Sequence, residues 1–172
     1  DGGFVVVWDG VDMDVDWNGI YGRKFSATGE PAGDQFSLNL ETVGTQQLPA
    51  VATLANGDLV VAWQSDGEGN PNTYILGAIY QDDGTVVAKE SAWNSYVQGE
   101  QTDVALAARE SGLVALWQSD GQDNDGLGIV PARFADAGES LGLSVLANTY
   151  STGYQRSPAA ATVAAGGYLH AG

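Results

Sequence analysis

Gly3-Phe4-Val5-Val6-Val7-Trp8 returns as Asp58-Leu59-Val60-Val61-Ala62-Trp63 and again as Gly112-Leu113-Val114-Ala115-Leu116-Trp117. The three Trp stand 55 and 54 residues apart. The same step carries Phe25 to Tyr80 and Phe134, Gly29 to Gly84 and Gly138, Asn39 to Asn94 and Asn148, and Gln46 to Gln101 and Gln155. Each of these Gln follows a Gly by two residues (Gly44, Gly99, Gly153). Self-similarity at such a period marks a repeat architecture in which each unit buries its apolar face against its neighbours. The repeats divide one domain, residues 1–172, into units of about 1–47, 48–102 and 103–156 and a partial fourth, 157–172.

The Trp-ending run is apolar on both faces: Phe4, Val6 and Trp8 alternate with Val5 and Val7. A strand covered on both sides reads this way. Four strands are expected per unit. Strand a is Leu48 to Leu54, matched by Asp103 to Ala108 and Ser157 to Val163. Strand b is the Trp-ending run, set off by a hairpin signal at Asn56-Gly57. Strand c is Tyr74 to Tyr80, matched by Ile20 to Phe25 and Ile129 to Phe134. Strand d follows a Gly-containing turn and ends near the shared Asn. No segment carries a 3.6-residue apolar period, and β-branched and aromatic residues fill the runs. The expected fold is all-β, three four-stranded antiparallel repeats in a β-propeller-like arrangement, with a β-solenoid or another repeated β-sheet assembly as the alternative. Three units fall below the four to eight blades typical of propellers. The expectation is therefore that the strand from Pro158 to Val163 lies beside Gly3 to Trp8, or that the chain self-associates or belongs to a longer array.

Composition narrows function. Lys and Arg total 6 against 22 Asp and Glu, a formal charge of −16 in 172 residues. Nucleic acid and anionic membranes need a basic face, so neither is expected as a partner. Cations are favoured. No apolar run approaches the roughly 18 residues of a membrane-spanning helix. The chain has no Cys, one His (His170) and one Met (Met13), which removes disulfides, thiolate chemistry and zinc–cysteine sites.

The loops after strand b hold nine of the 22 acids. The first reads Asp12-x-Asp14-x-Asp16-x-Asn18-Gly19, and the third offers Asp120, Asp123 and Asp125 before Gly126; the second has only Asp66 and Glu68. Alternate carboxylates ahead of a Gly can wrap a hard cation with six to eight oxygens. Calcium is the expected cofactor, with Asp12, Asp14, Asp16, Asn18, Asp120, Asp123 and Asp125 as candidate ligands. The loops are not EF-hands, because Trp17 occupies the place of the invariant Gly and Arg23 that of the closing Glu.

The Gly-Phe-Val-Val-x-Trp strand, the acidic loops, the Gly-Ile-Tyr-x-x-x-Phe run at Gly19 to Phe25 and the Gly-x-Gln…Pro segment at Gly44 to Pro49 resemble a tandem repeat of very large secreted bacterial calcium-binding exoproteins and adhesins. The acidic loops look like the calcium loops of integrin-type propeller blades. The resemblance implies an extracellular or cell-surface bacterial setting and a non-catalytic, calcium-stabilised binding module for glycans or other cell-surface ligands. The alternative is a structural, self-assembling β-repeat scaffold.

Trp17, Trp93 and Tyr96 do not repeat and sit beside polar loops, so they are either locally packed side chains or candidates for a ligand platform. Gln64 and Gln118, each directly after a repeated Trp, could bond sugar hydroxyls or cap a turn. An enzyme is not expected. A glycosidase needs two acids roughly 5–9.5 Å apart, and near-identical units favour repeated sites over one asymmetric centre. A glycoside-hydrolase-like propeller enzyme stands as the third reading.

Overall fold

The computed structural model describes residues 2–11, 18–67, 72–142 and 145–163. The chain is all-β. Its strands are β1 (Phe4–Val11), β2 (Asn18–Phe25), β3 (Phe36–Ser37), β4 (Gln46–Thr53), β5 (Leu59–Ser65), β6 (Tyr74–Tyr80), β7 (Val86–Ala92), β8 (Gln101–Ala108), β9 (Leu113–Asp120) and β10 (Leu127–Phe134). They form three antiparallel sheets, in the orders β1-β2-β3, β4-β5-β6-β7 and β10-β9-β8. Each sheet corresponds to one repeat, and none closes on itself.

Among the described residues only the middle sheet has all four expected strands. The first has no strand on the far side of β1, and the third has none on the far side of β10 among the described residues. Pro131 weakens pairing on that side of β10. On β10 the odd-numbered residues turn their polar backbone groups outward: Ile129 N–H donates to Asn148 Oδ1 at 2.9 Å, and Ile129 and Arg133 carbonyls accept from Ala147 and Leu141. Pro131 lies between them and has no N–H to give, so an outer strand loses a ladder bond there. Its counterpart Gly77 keeps that N–H and pairs with Ser91 on β7.

Four hairpins share one turn. Ser26, Leu54, Gln81 and Ala135 each bond across a three-residue loop to Glu30, Asp58, Thr85 and Glu139. The third loop residue is Gly29, Gly57, Gly84 or Gly138, with φ between 85° and 93°. This is a type I turn closed by a left-handed residue, for which Gly lacks the Cβ penalty. The Asn56-Gly57 signal therefore belongs to a three-residue loop.

The sheets pack face to face in chain order. Val61 and Trp63 of β5 join Ile20 and Leu38 of the first sheet in one core. Val60 and Ala62, on the other face of β5, join Leu113, Ala115, Trp117, Val130 and Phe134 of the third sheet in a second. β5 is thus covered on both sides, as its sequence demands. Trp63 and Trp117 are 0% and 1% exposed. Trp8 departs from the expected equivalence: it is half-buried against Tyr21, because no sheet covers its face among the described residues.

The repeated Asn and Gln close each unit. Asn39, Asn94 and Asn148 use Oδ1 to accept the backbone N–H of Ile20, Ile75 and Ile129, replacing a strand d carbonyl where that strand ends. Asn39 and Asn148 donate from Nδ2 to Gln46 Oε1 and Gln155 Oε1 at 3.2 and 3.0 Å. Gln101 instead accepts the Trp117 indole N–H at 3.2 Å. Gln46 Oε1 is engaged with Asn39, and the buried Trp63 Nε1 has no hydrogen-bond partner among the described residues.

Candidate functional surface

The candidate metal ligands fall into two groups. Asp12, Asp14 and Asp16, with the candidate platform residue Trp17, lie outside the described residues. Asn18 opens β2. In the third unit, Asp120 ends β9, while Asp123 is buried and tied into the loop. Its Oδ1 accepts from Asp125 N at 3.3 Å and its Oδ2 from Asn148 Nδ2 at 3.4 Å. Asp125 Oδ2 accepts from Gly153 N at 3.2 Å. These acids knit the loop after β9 to the chain that follows β10. Among the described residues no group of three acids or His is gathered as a metal site.

The proposed ligand platform divides as well. Trp93 is 8% exposed and stacks on Phe134 at 4.3 Å, between the second and third sheets. Its indole covers Gly77, where a Cβ would stand 2.1 Å from the ring. It is a core residue, unable to offer a face to sugar. Tyr96 is half-buried beside the loop after β9. Gln64 and Gln118 are buried at the ends of β5 and β9. Gln118 Nε2 donates to Asp103 Oδ2; Leu48 replaces Asp103 in the second unit, and Gln64 Oε1 has no partner among the described residues.

A cleft of about 880 Å³ opens between the first and second sheets at their hairpin ends. Phe4, Phe25, Phe36 and Tyr80 line it. Lys24 Nζ meets Asp82 Oδ1 at 2.8 Å across it. Tyr80 donates its hydroxyl proton to the Leu38 carbonyl, and burial, with Glu90 nearby, pushes its pKa up to about 12. Glu90 Oε2 accepts from Leu40 N at 2.7 Å and Glu41 N at 3.3 Å, clamping the first unit onto β7. Burial raises the Glu90 pKa; the two backbone bonds hold that rise back and the Glu41 charge adds to it.

Among the described residues, two sheet faces are left without a covering sheet. On the first sheet, Phe4 and Val6 are 50% and 42% exposed. Of their counterparts, Leu113, Val61 and Ala115 are 0% exposed and Leu59 is half-buried. On the third sheet, Val114, Leu116 and Ile129 are half-buried, while the equivalent Val60, Ala62 and Ile75 are fully buried. These are the two halves of the inter-sheet contact that the molecule makes twice internally. Sequence reasoning marked strand b as two-sided but had no means of seeing which copies lack a cover.

Fold and surface together define an all-β tandem-repeat protein that stacks antiparallel sheets and leaves both end faces apolar. Comparison with protein-family profiles, curated proteins and solved structures finds no match to this chain.

Proposed function

We propose that this chain is a non-catalytic, extracellular structural β-repeat, a scaffold whose working surfaces are the two uncovered sheet faces. A propeller-like succession of sheets continued from copy to copy is the arrangement this reading favours. The observation that carries it is the contrast between Val6, 42% exposed, and its counterparts Val61 and Ala115, both 0%. Exposed apolar patches of this kind mark interaction sites. The extracellular setting draws its support from the Cys-free, strongly acidic composition and the resemblance to exoprotein repeats.

Sedimentation across a concentration series tests the reading. Wild type should associate as concentration rises. Val6→Lys and Leu116→Lys, one on each end face, should each return it to monomer with little loss of thermal stability. A wild type that stays monomeric throughout would sink the scaffold. Ligand binding is the second reading. It loses Trp93 to the core and keeps the aromatic cleft beside Phe25 and Tyr80.

Calcium binding belongs to the same proposal, through the first acidic loop. Four carboxylates between Asp9 and Asp16 repel one another in a chain of charge −16, and a cation held there would relieve that. Binding to the folded form alone stabilises by about 2.7 kcal/mol at a hundredfold excess over Kd. Millimolar calcium should therefore raise Tm, magnesium should raise it less, and Asp14→Asn with Asp16→Asn should abolish most of the rise. Equal Tm in calcium and in chelator would remove calcium from the account.

A further inference from the structure

We propose that residues 155–163 of one copy add as a strand to the open edge of β1 in a second copy, in the register that the internal repeats dictate. This rests on the scaffold reading and names the contact through which it would act.

The register comes from two observed instances. β4 pairs β5 with Gln46 opposite Ser65, Ala50 opposite Ala62 and Thr53 opposite Leu59. β8 pairs β9 with Gln101 opposite Ser119, Ala105 opposite Leu116 and Ala108 opposite Leu113. Both ladders break just after their second pair, at Gln47 and Thr102. The residue that follows, Leu48 or Asp103, has φ 52°, a conformation that non-Gly residues adopt uncommonly. Ser157, at the third equivalent position, has φ 54°. The segment around it thus carries the bulge of a first strand, yet residues 157–163 pair with no strand. β1 is the complementary case, a second strand whose ladder, among the described residues, runs only to β2; its Asp9 side chain accepts from Leu48 N of β4 at 3.1 Å.

Carrying the repeat step over sets Gln155 opposite Gly10, Arg156 opposite Asp9, Ala159 opposite Val7, Ala160 opposite Val6, Ala161 opposite Val5 and Thr162 opposite Phe4. The chemistry fits. Ala159 falls where Ala50 and Ala105 already stand. The uncharged polar pairs Gln47–Gln64 and Thr102–Gln118 become an opposite-charge pair, Arg156–Asp9. Gln155 is half-exposed, while Gln46 and Gln101 are 1% and 0% exposed, as expected of a strand still lacking its partner. Unpaired edges template addition of a further strand. Donor and acceptor differ, so the contact is heterologous, and each copy offers one of each.

The absence of Cys makes the test direct. Val6→Cys and Ala160→Cys are placed in separate copies, one carrying a size tag, then mixed and oxidised. Residues directly opposite on paired strands meet disulfide distances. The mixed disulfide should exceed that of the slipped pair, Val6→Cys with Ala161→Cys, by about tenfold, since a one-residue slip turns the side chain to the other face. Equal yields from the two pairs would overturn the register. No mixed disulfide from a chain that still associates would overturn strand addition and leave the scaffold standing. A monomeric wild type would remove both. A doubly substituted chain that cross-links only within itself would show closure in cis and overturn the second copy as occupant.

Discussion

Trp117→Ala and Trp63→Ala are each expected to cost about 3–5 kcal/mol in urea melts, because a buried aromatic removed from a packed core forfeits its transfer energy and leaves a cavity. Both indoles are essentially inaccessible. Each sits between two sheets, so neither site can collapse from one side alone. For a chain of this size a loss of 3 kcal/mol corresponds to a fall in Tm of roughly 6–12 °C. Trp117 should be at the upper end, since its removal also leaves Gln101 Oε1 without the indole donor at 3.2 Å. Trp8→Ala should cost far less in the monomer, because that ring lies half in solvent. Equal losses at all three positions would mean that Trp8 is covered in solution, and losses within about 0.5 kcal/mol, the ordinary surface range, at Trp63 and Trp117 would refute the two-core arrangement.

Gly77→Ala carries the second large effect. The new Cβ would stand 2.1 and 2.2 Å from Trp93 Cε2 and Cζ2. The indole cannot retreat, because Phe134 stacks against it at 4.3 Å. Forcing a methyl into such a contact costs about 1–3 kcal/mol, occasionally more. Gly10→Ala is the matched control within a strand: its nearest neighbour is 3.7 Å away, so it should be neutral or slightly stabilising. Trp93→Leu in the Gly77→Ala background should restore part of the loss, since in the first unit Leu38, the counterpart of Trp93, lies over Gly22 beside the Phe36 ring without the overlap that Trp93 makes at Gly77. Additive losses in the double variant would show that the two residues do not touch.

The same pair shows where sequence reading reached its limit. Gly77 sits in an apolar run and Trp93 after a polar stretch, 16 positions apart. Nothing local marks the ring as the lid of that glycine, so a lone Trp beside polar residues reads equally as local packing and as a ligand platform. The repeated Asn and Gln were visible as landmarks. Their work as strand-end acceptors became apparent only once Asn94 Oδ1 was seen to take the Ile75 N–H at 2.9 Å. Gln64 and Gln118, read as possible sugar contacts, lie buried at strand ends.

The sequence by itself determined the all-β class, the period, the positions of strands b and c and the places of the Gly-containing turns. Each of these depends on a local preference or on a pattern of apolar residues that recurs within one unit. Which sheet is complete, and which Trp is covered, came only from the tertiary structure. Val6 and Val61 occupy the same place in near-identical strings, and their burial differs because one has a neighbouring sheet over it. Coverage is a property of the sheets packed around a residue, and a repeat that writes the same strand three times cannot encode which copy stands at the end of the stack.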